Sequence, residues 1–168
     1  MMIDDNDSLD RKNWDEIKID GWFTALIPPD WEVEDDNEVV IFDPDGFGEL
    51  TISLIATKSR RGRKKEKAFG VISGWAEELG FLDNSEITMF KRSRALLIAS
   101  AEFTVDEPEG ELAYWRIFPV IGEKIALDIS YSCPVEDRDR EETVIEAIID
   151  SIRLIEPKEE PLTQGQRS

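Results

Sequence analysis

"YWRIFPVIGEKIALDISYSC", residues 114 to 133, decides how this chain folds. In its first half, together with the two residues before it, Leu112, Tyr114, Arg116 and Phe118 alternate with Ala113, Trp115 and Ile117. In its second half Ile125, Leu127, Ile129, Tyr131 and Cys133 alternate with Ala126, Asp128, Ser130 and Ser132. A period of two is the period of a strand, whose successive side chains point to opposite faces. Ile121-Gly122-Glu123 between the halves is too short for a crossover, so the two strands must lie antiparallel. The second strand reads as buried on one face and polar on the other. Arg116 and Asp128 read as a cross-strand charge pair.

The pattern extends upstream. Residues 94 to 105 and 85 to 91 read as two more strands, with Asp106-Glu-Pro-Glu-Gly110 as a hairpin turn. Residues 22 to 27, 39 to 42 and 49 to 56 make three further strands. Pro28-Pro29 stops the first, because proline cannot donate to a sheet ladder. Asp43-Pro44-Asp45-Gly46 is a turn, with proline presetting φ and glycine free to take positive φ. Between the two groups of strands, residues 64 to 79 place Ala68, Phe69, Ile72, Trp75 and Leu79 on one helical stripe, and Gly80 stands at the C-cap. Gly70 and Gly74 weaken that helix, which we read as a sign of close approach by another backbone. A last helix spans residues 136 to 153, with Val144, Ile145, Ile148, Ile149 and Ile152 as its apolar face. Residues 1 to 19 form a polar extension with a short helix over 8 to 17, capped by Asp7 or Ser8. Residues 20 to 157 form one domain, and 158 to 168 a disordered tail. Short turns force antiparallel pairing, and the amphipathic helices need the sheet to cover. The expected fold is α+β: a mostly antiparallel sheet of six or seven strands flanked by helices, an α/β/α sandwich.

The totals narrow the function. The 168 residues are enough for a hydrophobic core without disulfide or metal staples. With 38 acids against 20 bases the net charge is −18, which repels nucleic acid phosphates. A single cysteine, no basic-then-apolar leader and no apolar run long enough to span a bilayer point to a soluble cytoplasmic protein. The chain has no histidine, which excludes Ser-His-Asp and Cys-His catalysis and imidazole ligation of zinc. Cys133, in an apolar row, reads as buried and inert.

Two charged stretches stand out. Asp30, Glu32, Glu34, Asp35, Asp36 and Glu38 put six acids in nine residues. Glu32 and Glu34 would share one strand face opposite Val33, and Asp43-Pro-Asp45-Gly46 lacks the third ligand and distal glutamate of a calcium loop. We read this stretch as a solvated hairpin, with no metal. "KSRRGRKKEK", 58 to 67, carries seven bases in ten residues: Lys58, Arg60, Arg61, Arg63, Lys64, Lys65 and Lys67. Bases at a helix start oppose the helix dipole, and that cost favours a role in partner binding over chance. Trp22, Trp31, Trp75 and Trp115 read as core or half-buried, and Trp31, Tyr114 and Arg116 as residues of a ligand groove.

Together, "WFTALIPPDWEV" (22 to 33), "VVIFDPDGFGELTISLIA" (39 to 56), "AFGVISGWAEELG" (68 to 80), the 114 to 133 meander and "ETVIEAIIDSIRLIEP" (142 to 157) resemble the Mog/PsbP-like superfamily. That group includes PsbP, Ran-binding Mog proteins, DcrB-like lipoproteins and bacterial domains without known activity. The resemblance covers residues 20 to 157. It implies an antiparallel sheet with helices on its faces and binding rather than catalysis. We expect no cofactor. The expected function is a non-catalytic protein-binding module of the bacterial cytoplasm: an adaptor, chaperone or immunity-type protein. The alternatives are a carboxylate-based small-ligand or metal-binding protein or enzyme, and a homo-oligomer joined through its opposite charges.

Overall fold

The computed structural model describes residues 11–56, 63–79, 87–106 and 110–155. Five strands come first: β1 (Asp15–Ile19), β2 (Phe23–Ile27), β3 (Glu32–Asp35), β4 (Val39–Phe42) and β5 (Glu49–Ala56). Helix α1 (Lys64–Leu79) precedes β6 (Thr88–Arg92), β7 (Leu97–Asp106), β8 (Leu112–Ile121) and β9 (Ile125–Pro134). Helix α2 (Glu142–Asp150) and β10 (Arg153–Leu154) close the order, and short 3-10 helices occupy Arg11–Asn13 and Val135–Asp137. The hairpin loop at 107–109, the C-cap at Gly80 and the tail 158 to 168 lie outside the described residues.

Seven strands pair in the order β3-β4-β5-β9-β8-β7-β6, with every pairing antiparallel. This is the α+β fold with the sheet size expected, but its membership differs. The strand at 23–27 belongs instead to a three-stranded sheet, β1-β2-β10. Pro28-Pro29 breaks the chain after β2, so the acidic segment Glu32–Asp35 supplies the seventh strand of the large sheet. The β2 residues Phe23, Ala25 and Ile27 turn onto the large sheet and are buried.

The helix expected over 8 to 17 does not form across 11 to 17. Asp15–Ile19 is extended and pairs with β2 from Asp15↔Ile27 to Ile19↔Phe23. The C-terminal helix is likewise shorter than 136 to 153. It begins only at Glu142, and it ends where Ser151 Oγ donates to the Ile148 carbonyl at 2.7 Å and accepts from the Leu26 N–H at 2.8 Å. Arg153 and Leu154 then pair with Thr24 and Phe23. Pairing with a half-finished sheet satisfies backbone groups that another helical turn would have left at the surface.

The two faces of the large sheet are buried differently. One packs Ile41, Ile52, Phe118, Leu127 and Ile129 against Phe23 and Ile27 of β2 and Ile145, Ile148 and Ile149 of α2. The other packs Ala99, Ala101, Ile117, Ile121 and Ala126 under Ala68 and Ile72 of α1. Strand β9 is therefore covered on both faces, since Ala126 and Ser130 are as buried as their neighbours. The small alanine and serine side chains on the α1 side let the helix approach.

Gly70 and Gly74 do not mark a close approach. No atom lies within 4 Å of a Cβ built at either position. Gly46 is required for a different reason than φ, because its Cβ would collide with the Glu141 carboxylate. Positive φ occurs instead at Gly21 and Gly110.

Candidate functional site

Four bases of the 58 to 67 segment are described, and Lys58, Arg60 and Arg61 lie outside the described residues. Arg63, Lys64, Lys65 and Lys67 gather at the start of α1. Lys64 Nζ donates to Glu123 Oε2 at 2.7 Å, tying the helix start to the β8–β9 turn. That hydrogen bond and the Lys64 charge hold the Glu123 carboxyl below its ordinary range. Lys65 Nζ lies 5.6 Å over the Phe69 ring. Arg63 is exposed and Lys67 half-buried.

The three groove residues do not come together. Tyr114 and Arg116 neighbour each other on the α2 side of β8, whereas Trp31 sits before β3, four strands and so ~19 Å across the sheet. Arg116, only 11% exposed, donates through Nε to Ser100 Oγ at 2.8 Å and through Nη1 to Glu146 Oε2 at 2.7 Å. Glu142 lies 3.8 Å away, and the guanidinium stacks 4.6 Å over Phe118. Tyr114 donates to Glu102 Oε2 at 2.8 Å, and burial together with that bond raises its phenol. These residues cross-link β7, β8 and α2.

The expected Arg116–Asp128 pair does not exist. Register places Arg116 opposite Glu102 and Tyr131, and Asp128 opposite Pro119 and Ser53, on the other face. There Asp128 accepts from Trp75 Nε1 at 2.8 Å, and burial raises its carboxyl. Trp75 in turn packs 5.5 Å from Trp115.

The acidic hairpin is solvated as read: Glu32, Glu34, Asp35, Asp36 and Glu38 are exposed, and Val33 packs on the core. Among the described residues no three acids or thiols come together as metal ligands. Register sets Glu32 beside Phe42 and Glu49, and Glu34 beside Val40 and Thr51. An acidic, partly apolar strip thus runs along this end of the sheet, while α1, bearing the bases, packs chiefly over β7 and β8.

One residue of consequence escaped the sequence reading. Glu141 is buried, 6% exposed. Its Oε1 accepts from the Tyr131 hydroxyl at 2.6 Å and the Gly48 N–H at 3.2 Å, and its Oε2 from the Phe47 N–H at 3.1 Å. Burial and this bond raise the Tyr131 phenol, and burial raises the Cys133 thiol beside it. Glu141 stands in the run "EDRDREE", where nothing marks it apart from solvated acids. The signal was Gly46, which leaves room for its carboxylate, and Gly48, which leaves room for the Tyr131 ring that donates to it.

No protein-family model matches the chain, and no curated protein matches it. Solved structures do. The Saccharomyces cerevisiae Ran-binding protein Mog1p superposes with a TM-score of 0.55 at 10% identity, over 86% of this chain and 96% of Mog1p. A Bacteroides thetaiotaomicron structure gives 0.56 at 17% identity over 85% of this chain, which spans 47% of that protein's length. Cyanobacterial PsbP from Synechocystis gives 0.44 at 12% identity. The chain thus has the α+β fold of Mog1p, the Mog/PsbP-like fold.

Proposed function

We propose that this chain is a non-catalytic protein-binding module of the bacterial cytoplasm, acting as an adaptor, chaperone or immunity-type protein. The observation that carries the reading is the fold shared with Mog1p, a Ran-binding protein, along nearly the whole of both chains. The separation of charge supports it: bases at the start of α1, and acids along the β3–β4 hairpin. The partner presents an acidic surface to Arg63, Lys65 and their neighbours Lys58, Arg60 and Arg61. Such a contact weakens with salt, because exposed charges are screened within about 8 Å at physiological ionic strength.

The test is affinity capture from the native cell at low and high salt, beside a variant with Arg60, Arg61, Arg63, Lys64 and Lys65 changed to serine. We expect one stoichiometric protein partner, lost in high salt and lost in the variant. A clean lane in every condition overturns the reading. A partner that the variant retains overturns the assignment of the basic segment.

A further inference from the structure

The two helices cover the large sheet unequally. Helix α2 buries Ile145, Ile148 and Ile149 within nine residues. Helix α1 buries only Ala68 and Ile72 within sixteen. The sheet beneath it is rich in alanine, with Ala99, Ala101 and Ala126 facing the helix. Small side chains on both sides bury little apolar area, so the contact contributes little. The helix is also weak in itself. Gly70 and Gly74 lower its propensity, and nothing lies within 4 Å of a Cβ at either. Its charges oppose the helix dipole at both ends: Lys64, Lys65 and Lys67 stand at the start against Glu66, and Glu77 and Glu78 close the last turn without a base. A donor beneath the helix is unsatisfied. Trp115 Nε1 is buried with no acceptor among the described residues, and its ring lies 5.5 Å from that of Trp75 on α1. A buried donor without a partner penalises the covered state, and water can satisfy it once Trp75 leaves.

We propose that α1 is a releasable cover, opening and closing over an apolar sheet face while the rest of the fold stays intact. What it hides is Leu97, Ile117, Ile121 and the three alanines, all buried in the closed molecule. The sheet does not depend on α1. Its strands are held by their own ladders, and its other face keeps a separate core under β2 and α2. Helices of about this length are marginal in isolation, so α1 loses its structure on release. Polar contacts at each end hold it shut. Lys64 Nζ donates to Glu123 Oε2 at the start, where solvent screens the pair and its contribution is small. Trp75 Nε1 donates to Asp128 Oδ1 near the end, in a more sheltered setting, and acts as the latch. Opening bares an apolar surface that the closed molecule does not show.

The test is native-state hydrogen exchange of the full chain, read by mass spectrometry. Amides from Ala68 to Leu79 should exchange at least about 100-fold faster than those of β8, β9 and α2, through one shared opening. W75F keeps an aromatic ring and removes the donor to Asp128. It should speed exchange in α1 about tenfold and leave α2 unchanged. G70A/G74A should slow exchange in α1 by about tenfold. The thiol of A101C/C133S, beneath α1, should be labelled by a maleimide faster than the chain unfolds, and adding G70A/G74A should slow that labelling. If A101C/C133S does not fold, exchange decides alone. Equal protection of α1 and β8 overturns the proposal. So does fraying confined to the helix ends, with Val71 and Ile72 as protected as the sheet. A W75F effect spread evenly over α1 and α2 overturns it as well.

Discussion

Glu141 shows how one carboxylate can hold a loop that sequence patterning treats as ordinary. Three donors converge on it: two backbone N–H groups of the β4–β5 loop and the Tyr131 hydroxyl. Removing the acceptor strands these donors where water reaches them poorly. E141A should therefore cost about 3 kcal/mol, and Y131F about 1 kcal/mol, in urea unfolding. Equal costs for the two would mean that the backbone contacts contribute nothing. Asp128 gives the opposite case. Burial raises its folded carboxyl above the unfolded value, so its acid form favours folding and its ionised form disfavours it. The contribution is fully present below the ordinary aspartate value of about 4 and is lost as pH rises through the folded value. D128N keeps an acceptor for Trp75 and carries no charge. It should melt higher than the wild type at pH 7, with the gap closing as pH falls to about 4. A gap that widens on acidification would refute the assignment.

At the scale of the element, α1 matches its sequence boundaries from Lys64 to Leu79, and α2 does not match its own. The difference lies in what each helix start must do. The first turn of α1 closes on its own backbone, with the Lys67 N–H donating to the Arg63 carbonyl at 3.1 Å. The N-cap of α2 is Glu141, whose side chain makes no capping bond because it is engaged with the 43–48 loop. The end of α2 is set by Ser151, which links the last turn to β2. Open space around Gly70 and Gly74 leads to a simple expectation. G70A and G74A should each stabilise the protein by about 0.5 to 1 kcal/mol in denaturant titration, because alanine lowers unfolded-state entropy and meets no atom. Destabilisation at either would show that another chain packs there.

For the whole molecule, the sheet is the common wall of two cores, and its central strands carry the greatest burial. Ile129 of β9 is fully buried between β5 and β8. I129A should cost roughly 2 to 5 kcal/mol, through lost transfer energy and an unfilled cavity. The net charge of −18 acts over the same volume as self-repulsion. Melting temperature should rise as salt is added from about 10 to 200 mM, since the Debye length shrinks from roughly 30 to below 8 Å. A fall would mean that pairs such as Lys64–Glu123 and Lys91–Asp150 outweigh the general repulsion.

The sequence by itself determined what local rules control. Alternation at 112–133 specified antiparallel strands, the 3.6-residue stripe specified α1, and the spacing of acids at 30–38 specified a solvated hairpin. The fold resemblance rested on these elements in order. Tertiary structure decided everything that depended on which surfaces meet. Register separated Arg116 from Asp128 and gave each a different partner. The turn at Pro28-Pro29 moved β2 out of the large sheet, and the resulting small sheet drew Asp15–Ile19 and Arg153–Leu154 into strands. Glu141 became a buried acceptor, and Arg11, Lys12, Lys91 and Arg153 came together around one cavity from sites up to 142 positions apart. A single sequence carries no trace of such meetings, because the free energy that selects them comes from burial and pairing between distant segments.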